Sequence, residues 1–396
     1  MVRRGSFIGG QDNLRVPDAP TIGAATVGNT EVSVAFTAPS DVGDDPITGY
    51  AVIVTDGTNI FNNTGSSSPI TVTGLTNGTD YTANVWAIND YGNGPLSDAT
   101  STFSPALQRG LFAMGTVSPR QNVIDYVSIG TTGNAVDFGD ATNERQVNQS
   151  LMSSTTRAVF TAGISDDATY EDTMDYVTIA STGNATDFGN LSVARFNLAA
   201  CSSVTRGINF NGSVSSGTAN TIDYITIAST GNATDFGDNN NTAVRSGASS
   251  SPTRGVKFGG SSEMDSIGYI TIASTGDASD FGDLTVNGAD PAGVSSNTRI
   301  CIAGRSSTGG TVNTIDYITT ASTGNATDIG DLNNSVYGAA GTSNRTRGLI
   351  GGGISGPINV IDYITIASTG NATDFGDLTV ARRAMSTGSD AHGGIS

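Results

Sequence analysis

Hydrophobic positions fall into two patterns along this chain. In the first quarter they alternate with polar ones, as in Val32-Ser33-Val34-Ala35-Phe36 and Tyr50-Ala51-Val52-Ile53-Val54, between turns rich in Pro, Gly and Asp. Alternation at period two predicts strands with one face in a core and the other toward water. Further on the runs become apolar on both sides: Ile222, Tyr224, Ile225 and Ile227 occupy both faces of their predicted strand. Such a strand must be covered twice, so its sheet lies between two neighbours.

The second pattern repeats. The stretch from Ile361 to Asp377 recurs through Tyr126, Tyr176, Tyr224, Tyr269, Tyr317 and Tyr363, at spacings of 50, 48, 45, 48 and 46 residues, which makes six copies. Each copy holds four runs. The first is Arg254-Gly255-Val256-Lys257-Phe258-Gly259-Gly260 or its equivalent, and the second is the Ile-Asp-Tyr-Ile-Thr-Ile run. The third carries Asp-Phe-Gly, and the fourth follows an Ala-Arg or a variant of it, as at Ala194-Arg195 and Val244-Arg245. Ser229-Thr230-Gly231-Asn232 and its equivalents predict tight turns between the second and third runs, because Gly and Asn accept positive φ. A period of this size, made of short strands and Gly-rich turns, predicts an all-β six-bladed propeller with one copy per blade. The first copy starts at Arg109 with no run before it, and the last is followed by Ala381-Arg382-Arg383-Ala384-Met385-Ser386. That C-terminal run is expected to supply the missing strand of the first blade and close the ring.

The chain therefore divides into an arm (residues 1–15), a β-sandwich (16–104) and the propeller (105–396). In the sandwich, four stretches resemble a fibronectin type III domain: Pro17-Asp18-Ala19-Pro20, Asp45-Pro46-Ile47-Thr48-Gly49-Tyr50, Leu75-Thr76-Asn77-Gly78-Thr79-Asp80-Tyr81 and Val85-Trp86-Ala87-Ile88-Asn89-Asp90-Tyr91-Gly92. Leu75 and Tyr81 match that family's tyrosine corner, and Phe36 stands where it usually has Trp. The resemblance implies a binding or spacer module. The order of runs in the propeller is similar to the kelch motif, with Phe138, Phe188, Phe236, Phe281 and Phe375, and Ile329 in the fifth copy, in place of the family's Trp. In the arm, Arg4-Gly5-Ser6-Phe7-Ile8-Gly9-Gly10 looks like a stray first run. Arg4, Phe7 and Ile8 are thus candidates for pairing with an open sheet edge of this or another subunit, the alternative being a frayed terminus.

Composition narrows the chemistry. The formal net charge is −18, which argues against a nucleic-acid backbone as partner. No apolar run is long enough to cross a membrane, and Met1-Val2-Arg3-Arg4-Gly5-Ser6 has no apolar core of a secretory signal. His392 is the only histidine, so a multi-histidine metal site is excluded, including that of the copper radical oxidases. Cys201 and Cys301 fall at different points of their repeats and read as small buried hydrophobes. Asp235 and Asp238, repeated in most copies with Asp223 nearby, lack the spacing of a calcium loop and read as turn residues. The Asn-Ala-Thr triplets, as at Asn184-Ala185-Thr186, match a glycosylation sequon but sit in the predicted turns. No cofactor is expected. Arg145, Arg195, Arg245 and Arg382 remain as candidate ligand-binding residues. Guanidinium groups converging on a central channel suit a carboxylated sugar, and the bland alternative is that they bridge neighbouring blades.

The regular repeat, the scarcity of lysine and the fused fibronectin-like module together resemble structural proteins of tailed, especially marine, bacteriophages. The resemblance implies a non-enzymatic virion protein of fibre, tail or capsid surface, assembled in the host cytoplasm. Its N-terminal part would anchor it to other virion proteins. Its propeller, present in many copies, would meet the host surface or its glycans. A bacterial surface adhesin and a glycan-active enzyme with its site at the propeller mouth are the alternatives.

Overall fold

In the computed structural model, residues 14–147, 151–262, 264–354 and 358–395 are described. Every regular element among them is a β-strand. The chain divides into two compact units, Met1–Leu107 and Gln108–Ser396. The proposed pairing residues Arg4, Phe7 and Ile8 lie outside the described residues.

The first unit holds two antiparallel sheets. One contains Thr21–Gly28, Glu31–Thr37 and Ile70–Thr73; the other contains Ile60–Gly65, Gly49–Thr55, Thr82–Asn89 and Gly92–Asn93. The alternation read from the sequence sorts their faces. Val32, Val34, Val52, Val54 and Val85 are fully buried in a shared core, which Phe36 joins by packing its ring 4.7 Å from that of Tyr50. Leu75 is buried, and the Tyr81 hydroxyl accepts the Thr76 N–H at 3.0 Å, which fixes the corner between the sheets.

Among its described residues the second unit forms six antiparallel sheets. The third is representative: Ala199–Ser202, Arg206–Val214, Gly217–Thr226 and Thr234–Asp238 follow one another across it. The fourth to sixth sheets begin at Gly247–Ser250, Ala292–Ser295 and Ala340–Ser343, and the same succession holds. The fourth run of each sequence copy therefore becomes the first strand of the next sheet. In the second sheet that place is taken by Leu151 to Ser154, which bond to Arg157–Ile164 through the Met152 and Arg157 carbonyls. In the first sheet it is taken by Ser386–Ser389, which pairs with Arg109–Thr116 from Ser386↔Ala113 to Ser389↔Gly110. This strand begins where the run Ala381–Ser386 was expected to end. Ala384, at φ 51, breaks the extended path, and Arg382 turns into the interior instead.

Two sets of bonds join consecutive sheets. In the first, the Ser-Thr-Gly-Asn segment, which follows a turn closed from the Ser229 N–H to the Thr226 carbonyl and is not itself the tight hairpin turn expected, straps onto the outer strand of the preceding sheet. The Gly183 N–H donates to the Phe138 carbonyl (2.8 Å), the Ala185 N–H to the Asp140 carbonyl (2.7 Å), and the Asp140 N–H to Asn184 Oδ1 (3.1 Å). Gly139 permits the close approach: its φ is 146°, and a Cβ there would stand 2.5 Å from the Gly183 carbonyl oxygen. The same strap recurs at each junction, with Asp277 standing for Asn at one of them. It also joins the sixth sheet to the first, where Gly133 N–H donates to the Phe375 carbonyl (2.9 Å) and Asp377 N–H to Asn134 Oδ1 (3.1 Å).

The second set is arginine. Arg109, Arg157, Arg206, Arg254, Arg299 and Arg347 open the strand before the tyrosine strand. Each guanidinium lies over its own tyrosine ring, from Tyr126 to Tyr363, at 4.0 to 4.6 Å. Its Nη1 then donates to a backbone carbonyl of the next sheet: Arg109 to Ile179 at 2.7 Å, Arg206 to Ile272 at 3.0 Å, and so on to Arg347, which reaches Ile129 of the first sheet at 3.0 Å. Between the sheets lie separate apolar clusters, each drawn from two neighbours. One combines Phe210, Ile222 and Phe236 of the third sheet with Ile270 and Ile272 of the fourth. This arrangement accounts for strands that are apolar on both faces.

Candidate functional site

Three of the four arginines singled out in the sequence are buried. Arg145, Arg195 and Arg382 have no exposed side-chain surface, and each pairs with the aspartate of an Ile-Asp-Tyr or equivalent run in the following sheet: Asp175, Asp223 and Asp125. The same carboxylates accept a hydroxyl and a backbone N–H from a residue three places before the arginine, as Asp125 does from Thr379 at 2.6 and 3.2 Å. Burial pulls the Arg145 and Arg382 guanidiniums down from their usual range, more than the facing aspartates Asp175 and Asp125 raise them. Such a pair has no surface to offer a ligand, so these three residues bridge sheets.

The remaining sheets solve the same position differently. In the fifth, Arg305 enters from the neighbouring strand and meets Asp316 at 2.7 Å. In the sixth, Asp362 accepts the backbone N–H and side-chain amide of Asn333 (3.2 and 2.7 Å), and burial raises its pKa. In the fourth, Gly268 replaces the aspartate. Lys257, which pairs with Gly268 across the sheet, is 2% exposed, donates to Asn241 Oδ1 at 2.8 Å and is lowered by burial to about 8.

Arg245 is different. Counting seven residues from the outer-strand aromatic reaches Arg145, Arg195 and Arg382 from Phe138, Phe188 and Phe375, but Ala243 from Phe236. Arg245 stands two places beyond, level with Asn197, Asp290, Gly338 and Ala384. All five have left-handed φ, from 51° to 69°. That shared conformation presents their backbones to one another. The Arg245 N–H donates to the Asn197 carbonyl, Asp290 to Arg245, Gly338 to Asp290 and Ala384 to Gly338, at 2.7 to 3.0 Å. One strand end from each of five sheets is thereby tied to the next.

These residues line a cavity of about 300 Å³ together with Gln146, Phe196 and Arg383. The Arg245 side chain is 38% exposed and is held by Asp290, which accepts its Nε at 2.9 Å and its Nη2. Arg383 runs along Gly338, and its guanidinium makes no hydrogen bond or ion pair among the described residues. Phe196 stacks on Tyr170, with ring centroids 6.4 Å apart. The sequence reading named Arg245 for this role and missed Arg383, Asn197 and Phe196. Arg383 was visible as the second of two adjacent arginines, one turned inward and one toward the cavity.

At the other end of the same short strands, the C-terminal tail is packed inside. Ser202, Ser250, Ser295, Ser343 and Ser389 end the five short strands, and Ser153 takes the equivalent place in the second sheet. Ser153 Oγ donates to the Ser389 carbonyl (2.7 Å), Ser202 Oγ to Ser153 (2.8 Å) and Ser250 Oγ to Ser202 (2.6 Å). His392 is fully buried against them. The Gly394 N–H donates to its Nδ1 at 3.0 Å, so Nε2 carries the proton and faces the Ser153 carbonyl at 3.3 Å. Burial lowers the imidazole to about 4. Gly393 and Gly394 pass so close to the Ser296 and Ser202 carbonyls that a Cβ on either would collide. The Ile395 carbonyl accepts from Arg345 at 3.3 Å.

Cys201 and Cys301 are buried free thiols, raised by burial to about 12. Among the described residues, no group of three His, Cys, Asp or Glu side chains is placed to hold a metal ion. No curated protein matches this chain. Residues 18–103, which form the sandwich of the first unit, match the family model of the Fibronectin type III domain.

Proposed function

We propose that the second unit is a six-bladed, kelch-like β-propeller closed by its own C-terminal strand, within a non-enzymatic structural protein of a tailed-phage particle. One observation carries the closed ring: the turn strap and the arginine staple that join each sheet to its successor also join the sixth to the first, through Asn134 and Arg347. The repeated polar residues are spent on these junctions, which is what a rigid display scaffold needs. On this reading the fibronectin-like unit and arm anchor the protein to its virion neighbours in the fibre, tail or capsid surface. The ring then turns its open mouth toward the host, and many copies add weak contacts into avidity.

The ring is tested by deleting residues 379–396, which removes the closing strand, Arg382 and the tail. The expected result is loss of the single cooperative melt of the second unit; a truncated chain that melts like the full one refutes closure. The virion assignment is tested with antibody against the second unit. Labelling of purified particles and blocked adsorption to host cells are expected. Particles that carry none of the protein refute it.

A further inference from the structure

We propose that the mouth cavity binds the carboxylate of a single acidic sugar residue, with Arg383 as the principal anchor. This rests on the adhesive reading of the ring and names its ligand. The chain carries a net charge of −18, yet this cavity holds two guanidiniums against one carboxylate. Asp290 takes Nε and Nη2 of Arg245 and so fixes that side chain with Nη1 left over. Arg383 has its whole fork available among the described residues. A planar carboxylate fits such a fork through two parallel hydrogen bonds, which a point charge cannot match.

The rest of the lining suits a sugar ring. Phe196 is half-buried and braced from behind by Tyr170, giving an aromatic surface for the C–H face of a pyranose. Asn197 and Gln146 bring amides for hydroxyl groups. Gln146 Oε1 already accepts from Thr116 at 2.9 Å, which leaves its amide protons to donate. A volume of about 300 Å³ lies at the small end of ligand sites. The opposite end of the strands is filled by the tail around His392. The cavity is therefore blind and admits a terminal or branch residue, while the acidic surface repels long polyanions.

The test uses saturation-transfer NMR and calorimetry on the full chain with glucuronate, glucose and acetate. Glucuronate is expected to bind at least about tenfold tighter than either glucose or acetate, since neither offers both the charge and the ring. Arg383→Met should weaken glucuronate by about tenfold or more, with a thermal midpoint close to that of the parent. Arg383→Lys, which keeps the charge and loses the fork, should recover only part of it. Equal binding of glucuronate and glucose, acetate as good as glucuronate, full affinity in Arg383→Met, or no binding at all overturns the assignment. If the 379–396 deletion behaves as a closed ring requires and glucuronate still does not bind, the ligand assignment alone falls. If the deletion melts like the parent, the ring falls first.

Discussion

Replacing Arg382 by leucine isolates the energetic weight of the buried inter-sheet pairs. Arg382 and Asp125 are both fully buried, 3.0 Å apart, and Arg382 also donates to the Phe112 carbonyl at 3.0 Å. After Arg382→Leu, Asp125 keeps its two bonds from Thr379 but loses its counter-ion. Removing one partner of a buried pair costs about 3–5 kcal/mol, because the survivor is left charged in a poorly polarisable setting. For a unit of this size each kcal/mol is worth roughly 2 °C, so the melting midpoint should fall by about 6–10 °C. The surface pair Arg120–Asp166, with side chains 19% and 54% exposed, provides the contrast. Arg120→Ala should cost no more than about 1 kcal/mol. The decisive comparison is Arg382→Leu with Asp125→Leu in one chain. Two apolar side chains of similar size need no counter-ion, so the double variant should regain most of what the single one lost. Differential scanning calorimetry at pH 7 reads all three. A single variant within about 2 °C of the parent, or a double variant worse than either single, refutes the assignment of that stability to charge pairing.

Acid titration should expose His392. Its folded pKa of about 4 lies below the ordinary value of 6.5. The stability it permits is therefore complete above pH 6.5 and is lost as pH falls through 4, by roughly 3 kcal/mol in all; His392→Gln should flatten that slope in denaturation curves. Asp362 works in the opposite sense, since burial raises its folded pKa. Its cost is present at neutral pH and relieved as pH drops toward the free aspartate value. Asp362→Asn is accordingly expected to stabilise at pH 7 and to remove that relief, and a loss of stability at pH 7 would contradict it. Arg347→Ala removes a ring contact and a charged bond across the last junction, about 2 kcal/mol together, read as a lowered urea midpoint.

What was legible in the sequence was local or periodic. Tyr81 follows Leu75 at a fixed interval, and its hydroxyl finds the Thr76 N–H within the same turn. The Ser-Thr-Gly-Asn segments read correctly as connections but not as tight hairpin turns: the strands part at Thr226 and resume at Thr234, the turn closes earlier, from the Ser229 N–H to the Thr226 carbonyl, and Asn232 has no left-handed φ. Their asparagines also accept backbone N–H groups from the preceding sheet, a role set by packing between units far apart in sequence. Treating Arg195 and Arg245 as equivalent failed because, in segments of equal length, Arg245 stands two positions later, level with Asn197 at the cavity and not with Arg195 in the interior. Counting from the outer aromatic would have separated them. The six stapling arginines recur in every copy, yet sequence alone does not say that each sits on its own tyrosine while bonding the next sheet. The tail around His392 carried no such periodic signal, being a single copy.

The pairing of Ser386–Ser389 with Arg109–Thr116 sets an order of events on the ribosome. The first sheet keeps a bare edge until about 270 further residues have been made, a wait of roughly 15–55 s at about 5–20 residues per second. During that interval the edge is open to the tail of another nascent chain on the same message. Slower translation or crowded polysomes should therefore yield tail-exchanged dimers, and a synthetic Ser386–Ser389 peptide supplied during synthesis would compete for the same seam.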